Sequence, residues 1–314
     1  MVPDSQSQLH VAVLAGGDSA EREVSLRSGQ AVLEALLIAG HHASLLDPCK
    51  SPLSEVSWDN FDVCFIALHG GAGEDGRVQA ELDRLGVLYT GSSPEVSRLA
   101  MSKSASKERF AACDVPTPPA ILIAATETSD EALRRASELG YPLIVKPDTE
   151  GSSVGLAVVE SAENLPAALD LARRYGGACL VEKLIRGREF TVAVLDERPL
   201  PILEIVAAER VFSYVAKYHN PETQYLFDFE LPDSQREAIT AAALGACRAI
   251  GTRGLVRVDV MLDSDGRPWV LEVNTIPGMS TRSLAPRAAA QAGLPMSALC
   301  ELLVRQTLAS AGVV

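Results

Sequence analysis

The sequence contains no cysteine pair with the spacing of a metal or redox motif. Its six cysteines are scattered, without a C-x-x-C motif, and are typical of small core residues in a reducing compartment. No uninterrupted apolar run is long enough to span a bilayer, and residues 1–10 lack the apolar region of a signal peptide. These absences predict a cytoplasmic protein without a membrane partner. The cysteines are Cys49, Cys64, Cys113, Cys179, Cys247 and Cys300.

An excess of basic residues is also missing. The formal net charge is −13, which argues against a nucleic-acid partner, so an anionic substrate would need local basic residues. There is no internal repeat, no low-complexity segment and no G-x-x-x-x-G-K-[ST] phosphate loop. The 314 residues are instead 47 % hydrophobic with a mean hydropathy of +0.13, which predicts a well-buried globular enzyme of two or three domains.

The order of apolar and helical segments predicts an α/β fold in three parts. Residues 1–99 alternate strand and helix, as in an open parallel sheet with sites at the strand C-terminal ends. Residues 100–185 begin a new unit with a helix over residues 101–115, and residues 186–314 contain the remaining strands and a C-terminal helix. We therefore predict domain boundaries near residues 99 and 185.

The stretch GLVRVDVMLDSDGRPWVLEVNTIPG, residues 254–278, has the pattern of a β-hairpin. Two β-branched runs flank Asp265-Gly266, a typical two-residue turn. Counting outward from that turn pairs Leu262 with Trp269. Because side chains alternate along a strand, four polar residues share one face in two pairs, Asp259 with Glu272 and Arg257 with Asn274. The apolar face that supplies the core consists of Val256, Val258, Val260, Leu271 and Val273.

The opposed carboxylates of Asp259 and Glu272 need an explanation, since like charges directly opposite on a sheet are destabilising. Hard oxygen ligands suit Mg²⁺, which binds one or two carboxylates together with phosphate oxygens and water. The pattern therefore favours a Mg²⁺–phosphate site over a solvated polar face. Pro268, just after the turn, leaves room for a bulge that shifts the register.

A glycine-rich loop leaves a second function class open. Gly71, Gly73 and Gly76 form G-x-G-x-x-G between a predicted strand and a predicted helix, with Glu95 about 20 residues further on, as a nicotinamide-dinucleotide site requires. The motif follows the wrong strand, because an earlier βαβ unit precedes it. A tight turn lined by glycines is the plainer interpretation, and an NAD-dependent oxidoreductase is the alternative.

Another loop predicts phosphate binding. Lys146 ends an apolar strand and precedes Gly151, Ser152, Ser153 and Gly155, whose N–H and hydroxyl groups can cover phosphates. A surface hairpin with an extended lysine has the same pattern. The Mg²⁺ candidate in the same chain makes phosphate binding the favoured interpretation.

Three polar segments stay open on the residues alone. Glu182 and Glu189 are either exposed acids near a strand end or, for Glu189, a ribose ligand. Asp18 and Glu21 fit a helix capping box. The loop YVAKYHNPETQY, residues 214–225, is either a mobile lid over a site or a solvated loop.

Together these segments resemble the ATP-grasp superfamily and, within it, the D-alanine–D-alanine ligase family, almost along the whole chain. The resemblance implies an N-terminal open parallel α/β domain followed by a two-subdomain ATP-grasp α+β fold. It implies that ATP phosphorylates the carboxylate of one D-alanine and that the amine of a second attacks the acyl phosphate. The products are D-alanyl-D-alanine for peptidoglycan synthesis, ADP and phosphate. The matching segments are LAGGDSAEREVSLRSG (14–29), FIALHGGAGEDG (65–76), YTGS (89–92), LIVKPDTEGSSVG (143–155), VEKLIRGREFTVAVL (181–195), AKYHNPETQY (216–225), RVDVMLDSDG (257–266) and LEVNTIPGMSTRSLAP (271–286).

The resemblance also implies the residues that bind ATP and metal. Two Mg²⁺ ions, for which Mn²⁺ can substitute, are implied to bridge the ATP phosphates at Asp259, Glu272 and Asn274. The residues implied at the phosphates are Lys103, Lys146, Ser152 and Ser153, with Lys217 at the transferred phosphate. Those implied at the adenine are Glu182, Lys183 and Ile185, with Glu189 at the ribose.

The two D-alanine sites are implied in the same way. Arg257 and the backbone N–H of Gly278 would hold the first carboxylate and the later oxyanion, and Glu21 the first ammonium. The second carboxylate would be held by Ser283 and the backbone of Leu284, with His69 near the second substrate. The lid would be closed by a hydrogen-bonded group of Glu21, Ser152 and Tyr218. The family implies a homodimer.

Tyr218 bears on the acceptor. In this family tyrosine at this position goes with D-alanine and phenylalanine with D-lactate, so the dipeptide product is predicted. The nearer alternative is D-alanine–D-lactate ligation, and a non-catalytic ATP-binding relative is another. Three departures from the family pattern, Ser102, Val215 and Leu184, bear on lid motion and ATP affinity more than on reaction type.

Overall fold

The computed structural model describes residues 7–151, 154–206 and 223–313. Its N-terminal part contains the parallel strands β1 (His10–Leu14), β2 (His42–Leu46) and β3 (Val63–Ile66), with helices α1 (Arg22–Ile38) and α2 (Arg77–Arg84). The strand order is β2-β1-β3. The near-continuous apolar sequence of β1 and β3 suits strands that are buried on both faces. The predicted open parallel arrangement is confirmed.

The predicted helix over residues 101–115 is α4 (Lys103–Ala112), and it is preceded by α3 (Pro94–Met101), a helix that was not predicted. Ser102 separates them with an extended backbone, φ −80° and ψ 108°. Its hydroxyl accepts a hydrogen bond from the Ala105 N–H at 3.3 Å. A serine in this conformation is a typical N-cap, which explains why a new helix begins here.

The central sheet is antiparallel. Its strands are β4 (Ala120–Ile123), β5 (Leu143–Pro147), β6 (Ala157–Val159) and β7 (Cys179–Lys183), in the order β4-β7-β5-β6. Helices α5 (Ser129–Glu138) and α6 (Leu165–Arg173) bury apolar side chains on it, and these form a separate core with Ile123, Leu143 and Val181.

The third sheet is also antiparallel. Its strands are β8 (Gly187–Leu195), β9 (Arg198–Pro199), β10 (Leu203–Val206), β11 (Gln224–Leu226), β12 (Leu255–Asp263) and β13 (Pro268–Asn274). The order is β11-β10-β8-β12-β13, and β9 pairs with β8. Helix α7 (Asp233–Ile250) packs on this sheet through Ile239 and Ala246.

The C-terminal helices α8 (Leu284–Gln291) and α9 (Met296–Ser310) return the chain to the N-terminal part. Leu299 and Leu303 of α9 share one buried core with Val32 and Leu36 of α1. The two ends of the chain therefore stabilise each other. The three-part division with boundaries near 99 and 185 stays a prediction, although each of the three segments contains its own sheet.

The polar end of the hairpin has the predicted register. Arg257 lies opposite Asn274, and Asp259 lies opposite Glu272. The four side chains that carry the metal hypothesis therefore do share one face of the sheet.

The predicted register near the turn is wrong. Leu262 pairs with Pro268, and not with Trp269, because the turn is a three-residue loop over residues 264–266. The Asp263 N–H donates to the Arg267 carbonyl at 3.0 Å, and Gly266 supplies the left-handed conformation at φ 77°. Such loops typically end with a residue in the left-handed region.

A β-bulge between the turn and the site restores the predicted register. The pairing shifts between Asp259 and Val260, which leaves Leu271 as the extra residue. Val270, fully buried, takes the core position that was predicted for Leu271, and Leu271 is only half-buried. The core face of β13 therefore contains Val270 in place of the predicted Leu271.

Within the described ranges, none of the helices combines the length and apolarity that crossing a bilayer would require. All six cysteines are free thiols.

Candidate active site

The polar face of β12 and β13 borders a cavity of about 890 Å³. This volume is typical of a small-molecule site. Its other walls come from the loops after β1 and β3, the start of α4 and the start of α8. The predicted site residues that line it are Glu21, His69, Lys103, Arg257, Asp259, Glu272, Asn274, Gly278, Ser283 and Leu284.

Asp259 is held by hydrogen bonds from two neighbouring side chains. Its two carboxylate oxygens accept from Nε and Nη2 of Arg257, both at 2.9 Å, and Oδ1 also accepts from Thr191 Oγ1 at 2.7 Å. The carboxylate is nearly buried, with 5 % of the residue exposed. The Arg257 guanidinium therefore offsets part of the repulsion between Asp259 and Glu272 that the sequence analysis assigned to a metal alone.

The donor atoms of this face fit a hard divalent cation. Asp259 and Glu272 provide carboxylate oxygens, and the amide oxygen of Asn274 is oriented by accepting the Ile276 N–H at 2.9 Å. An all-oxygen set of two carboxylates and one amide, with space for phosphate and water, suits Mg²⁺. Over the described ranges, no group of three or more His, Cys, Asp and Glu side chains could hold a metal ion. A third protein ligand from this strand face would be the amide of Asn274.

Lys103, at the start of α4, extends into the same cavity. Its Nζ donates to the Glu150 carbonyl at 2.5 Å, and burial lowers its pKa. Asp148 fixes the loop that carries Glu150, because its oxygens accept from the Ser104 N–H and the Ser102 hydroxyl, each at 2.8 Å. Ser102, a departure from the family pattern, therefore anchors this loop as well as capping α4.

Lys146 lies outside the cavity lining and forms an ion pair with Glu182 at 2.5 Å. The other oxygen of Glu182 lies 3.0 Å from Nζ of Lys107. Burial acts to raise the pKa of Glu182, but the charges of Lys107 and Lys146 outweigh it and lower the pKa to about 2. The carboxylate is therefore ionised and shared by two lysines.

The sequence analysis did not identify Lys107 as a residue near the site. It is 7 % exposed and lies one turn from Phe110, a fully buried residue of α4. A lysine three positions before a core phenylalanine lies on the apolar face of a helix, and this was the signal that could have revealed it.

The residues predicted at the adenine and the ribose also lie outside the lining of the cavity. Nζ of Lys183 donates to the carbonyls of Gly140 and Tyr141 at 3.0 and 2.9 Å, so this ammonium secures a neighbouring turn. Ile185 follows β7, and Glu189 lies on β8 opposite Met261. A nucleotide contact from Lys183 would have to come from its backbone.

His69 is nearly buried at the N-terminal wall of the cavity, with 4 % of the residue exposed. Its Nε2 lies 2.8 Å from the hydroxyl of Ser28, which also accepts the Met279 N–H at 3.1 Å. Its Nδ1 lies 3.6 Å from a carboxylate oxygen of Glu74. Ser28 therefore connects His69 to the loop of Gly278, and neither Ser28 nor Glu74 was singled out from the sequence.

The predicted capping box of Asp18 and Glu21 is not formed. Glu21 is itself the N-cap position of α1 and makes no side-chain cap hydrogen bond. Its carboxylate instead lies against two glycine loops: Oε2 is 2.7 Å from the point that a Cβ at Gly70 would occupy and 3.3 Å from the corresponding point at Gly151. This position favours a ligand-binding role for Glu21 over a helix-capping role.

A side chain at Gly278 would require Ser283 to move. A Cβ there would lie 2.7 Å from Oγ of Ser283. Ser283 precedes α8 without capping it, and its hydroxyl contacts the Ser280 hydroxyl at 2.8 Å. The first turn of α8 therefore begins at the cavity wall, where Leu284 lies, without a side-chain cap from Ser283, and such a helix start suits a carboxylate.

The glycine-rich loop after β3 is a tight turn. Gly71–Gly73 forms a short 3-10 helix, and Gly76 precedes α2 in the left-handed region, with φ 90°. Glu95 is exposed in the first turn of α3, where its carboxylate accepts from Ser93, and it does not lie at a strand end as a ribose ligand of a dinucleotide fold would. The plainer interpretation of the motif is supported.

Several predicted residues lie outside the described residues. They are Ser152 and Ser153 of the phosphate loop, and Val215, Lys217, Tyr218 and His219 of the predicted lid.

A profile of the family described as "D-ala D-ala ligase C-terminus" matches residues 110–305. The chain is 48 % identical over 290 residues to a D-alanine–D-alanine ligase from Aromatoleum aromaticum, which covers 92 % of this chain and 93 % of that protein. It is 41 % identical over 313 residues to a D-alanine–D-alanine ligase from Pelotomaculum thermopropionicum, with 97 % and 98 % covered.

Two solved structures resemble the fold. A D-alanine–D-alanine ligase from Bacillus anthracis complexed with ATP has a TM-score of 0.84 at 32 % identity, covering 96 % of this chain and 98 % of that one. A D-Ala:D-Ser ligase from Enterococcus faecalis has a TM-score of 0.83 at 26 % identity, covering 96 % and 100 %. Because the profile covers more than half of the chain and the two sequence relatives match nearly its whole length, the chain belongs to the D-alanine–D-alanine ligase family.

Proposed function

We propose that this chain joins two D-alanines to D-alanyl-D-alanine at the expense of ATP, through an acyl phosphate, for peptidoglycan synthesis. The observation that carries the proposal is the single cavity in which paired acids, Arg257 and the start of α8 come together. The names of its relatives agree, and one similar structure was solved with ATP. A carboxylate needs activation before amide formation, and this cavity can stabilise the charge that develops on phosphate and on the tetrahedral oxyanion.

Asp259, Glu272 and Asn274 are the residues that would hold Mg²⁺ or Mn²⁺, and their all-oxygen donor set supports this role. When bound, such a cation supplies Lewis-acid neutralisation of phosphate charge. Lys103 contributes a point charge at the cavity wall, and Lys146 would contribute a second after leaving Glu182. Glu182, Lys183, Ile185 and Glu189 stay proposals for the adenine and ribose, as do Ser152, Ser153 and Lys217 for the phosphates.

The first D-alanine would lie between Glu21 and Arg257. The Glu21 carboxylate suits its ammonium, and the guanidinium suits its carboxylate. The backbone N–H of Gly278 would donate to the oxyanion. Ser283 lies so close to Gly278 that a larger residue there would displace it. Holding the donor from both ends would orient its carboxylate for phosphorylation.

The second D-alanine would have its carboxylate at Ser283 and the first N–H groups of α8. His69, paired with Glu74 and Ser28, would lie beside its amine. The fold alone does not determine which acceptor is used, because a similar structure is named a D-Ala:D-Ser ligase. Tyr218, which favours D-alanine over D-lactate by resemblance, would form the closing group with Glu21 and Ser152.

The test is phosphate release from ATP with Mg²⁺, measured with and without D-alanine, together with the mass of the product. We expect release that depends on D-alanine and a product of the mass of D-alanyl-D-alanine. D-serine and D-lactate, added as competing acceptors, would then rank acceptor preference. Phosphate release that is independent of D-alanine, or an absence of release from protein that binds ATP, would contradict the proposal.

Two further proposals concern the state of the protein. The homodimer implied by the resemblance is one of them, and sedimentation would show it as twice the 33.3 kDa of the chain. A cytoplasmic location is supported by the six free cysteines and is tested by fractionation.

A further inference from the structure

Lys107 has none of the roles proposed above, yet its ammonium contacts three oxygen atoms. Nζ lies 2.7 Å from Thr117 Oγ1, 3.1 Å from the Pro118 carbonyl and 3.0 Å from Glu182 Oε2. Thr117 donates its own hydroxyl proton to the Val270 carbonyl at 2.8 Å, so a lone pair of its oxygen is oriented toward Lys107. Nζ therefore donates two hydrogen bonds, to Thr117 and Pro118, and forms an ion pair with Glu182, so three contacts hold the charge in one place.

Lys146 differs from Lys107 in this respect. Its Nζ donates to Glu182 Oε1 at 2.5 Å, and no second acceptor is found for it among the described residues. It is 8 % exposed and lies at the end of β5, just before the loop that Lys103 and Asp148 anchor. Each oxygen of Glu182 therefore has its own lysine, one held by three partners and the other by a single ion pair.

We infer that Lys107 is a positioning residue that keeps Glu182 paired when Lys146 moves from this carboxylate to the phosphates of ATP. The inference rests on the proposed function, in which Lys146 contacts phosphate. Glu182 is 2 % exposed, and a buried carboxylate that loses its only counter-charge is strongly destabilised. With Lys107 in place, Lys146 exchanges one anion for another and Glu182 stays ionised beside a cation.

The charges around Glu182 are few enough to make this testable. They are Lys107 and Lys103 on α4 and Lys146 on β5. If Lys107 is replaced by an uncharged residue, the departure of Lys146 leaves Glu182 buried with Lys103 as the remaining nearby cation of the described residues and with none of their cations at ion-pair distance. Such a carboxylate takes up a proton, because documented buried glutamates have a pKa of about 8–9. ATP binding then becomes coupled to proton uptake.

The experiment is isothermal titration calorimetry of a non-hydrolysable ATP analogue with Mg²⁺, at pH 7.5 in buffers of different ionisation enthalpy. The difference between buffers gives the protons taken up per analogue bound. We expect Lys107→Met to take up more protons than the native protein, by an amount approaching about one. We also expect its affinity for the analogue to fall as the pH rises.

Two variants separate the charge of Lys107 from its packing. Lys107→Arg restores the cation, and Thr117→Val removes a hydrogen bond but no charge, so both are expected to show the native proton uptake. The double variant Lys107→Met/Glu182→Gln is also expected to show no excess, because no carboxylate is left without a partner. A purely structural role for Lys107 would not separate these variants by proton uptake.

Native proton uptake in a folded Lys107→Met variant would overturn the inference. If Lys107→Met does not fold, the folding of the double variant decides: recovery of folding supports the coupling to Glu182, and failure to fold overturns the inference and assigns Lys107 to stability alone. Failure of the native protein to bind the analogue would instead contradict the proposed function.

Discussion

Arg257 and Asp259, two residues apart on β12, form a bidentate ion pair with both N···O distances at 2.9 Å. The pair places an anion-binding guanidinium and a cation-binding carboxylate side by side on one strand face. It orients the guanidinium before any substrate arrives, which is the condition for electrostatic stabilisation of a transition state. A change in the charge of Asp259 therefore affects both groups.

Asp259→Asn and Glu272→Gln are each expected to lower D-alanine-dependent phosphate release at least ~100-fold, the size of losing one preorganised electrostatic group. Circular dichroism should show a native fold, because both changes keep the shape of the side chain. Asp263→Asn is the matched control: it lies on the same strand, but its carboxylate accepts from Trp269 Nε1 at 2.8 Å and stabilises the turn. We expect it to lower the melting temperature and leave turnover near native. Near-native rates in both site variants would contradict the metal assignment.

Gly278→Ala is expected to lower turnover on the order of 100-fold, because the new Cβ would lie 2.7 Å from Ser283 Oγ and displace the proposed oxyanion donor. Steady-state kinetics with ATP and D-alanine would measure the effect. Gly245→Ala, in the interior of α7, tests the same change of residue away from the cavity and is expected to keep the native rate. Equal rates for the two variants would remove Gly278 from the proposed site.

Ser102→Ala is expected to lower the free energy of unfolding by about 1 kcal/mol, since it removes the N-cap of α4. Ser102→Asp is also expected to be destabilising, although aspartate is a good N-cap. Its carboxylate would face Asp148, whose Oδ2 lies 2.8 Å from the serine hydroxyl. Urea denaturation would measure both, with Ser93→Ala at the N-cap of α3 as the control for capping alone. A stabilised Ser102→Asp variant would show that Asp148 is not held against this position.

Asp47 is expected to make stability depend on pH. Its hydrogen bond with Arg22 lowers its pKa to about 2, below the value of about 3.9 in an unfolded chain. Because the folded pKa is the lower one, the stabilisation is present above about pH 4 and is lost as the pH falls toward 2. Asp47→Asn should therefore be less stable than the native protein at pH 7, by about 1–2 kcal/mol after solvent screening at the partly exposed Arg22.

Urea denaturation of the native protein and of Asp47→Asn between pH 7 and pH 2 would measure this difference. Asp59→Asn, at an exposed aspartate, is the control for general acid destabilisation. A difference between native and Asp47→Asn that stays constant down to pH 2 would show that the ionisation of Asp47 is not responsible.

The polar pairs of the hairpin could be predicted because they follow from alternation along a strand, a rule that acts between near neighbours. Arg257, Asp259, Glu272 and Asn274 were therefore located correctly. The pairs next to the turn were not, because the loop length and the bulge at Leu271 compensate each other within a few residues. Either irregularity alone would have moved the acids to opposite faces.

The starts of α1 and α4, unlike the polar pairs of the hairpin, were not predicted correctly from local sequence. Asp18 and Glu21 have the spacing of a capping box, yet Glu21 lies against the glycine loops at Gly70 and Gly151. Loops that are distant in sequence decide the position of this carboxylate, and its local spacing carries no information about them. The serine N-cap at Ser102 was overlooked because α3, the helix before it, was not predicted and the next helix was started too early, at Met101.

The sequence by itself determined the family, the order of strands and helices and the face that holds the proposed metal ligands, because each of these depends on residue patterns along short segments. Only the tertiary structure decided that Lys107 and Lys146 share Glu182, that Ser28 connects His69 to Met279, and that α9 packs on α1. These contacts join segments far apart in the chain. The physical reason is that the energy of a buried charge or hydroxyl depends on which group lies within about 3 Å of it, and packing sets that neighbour.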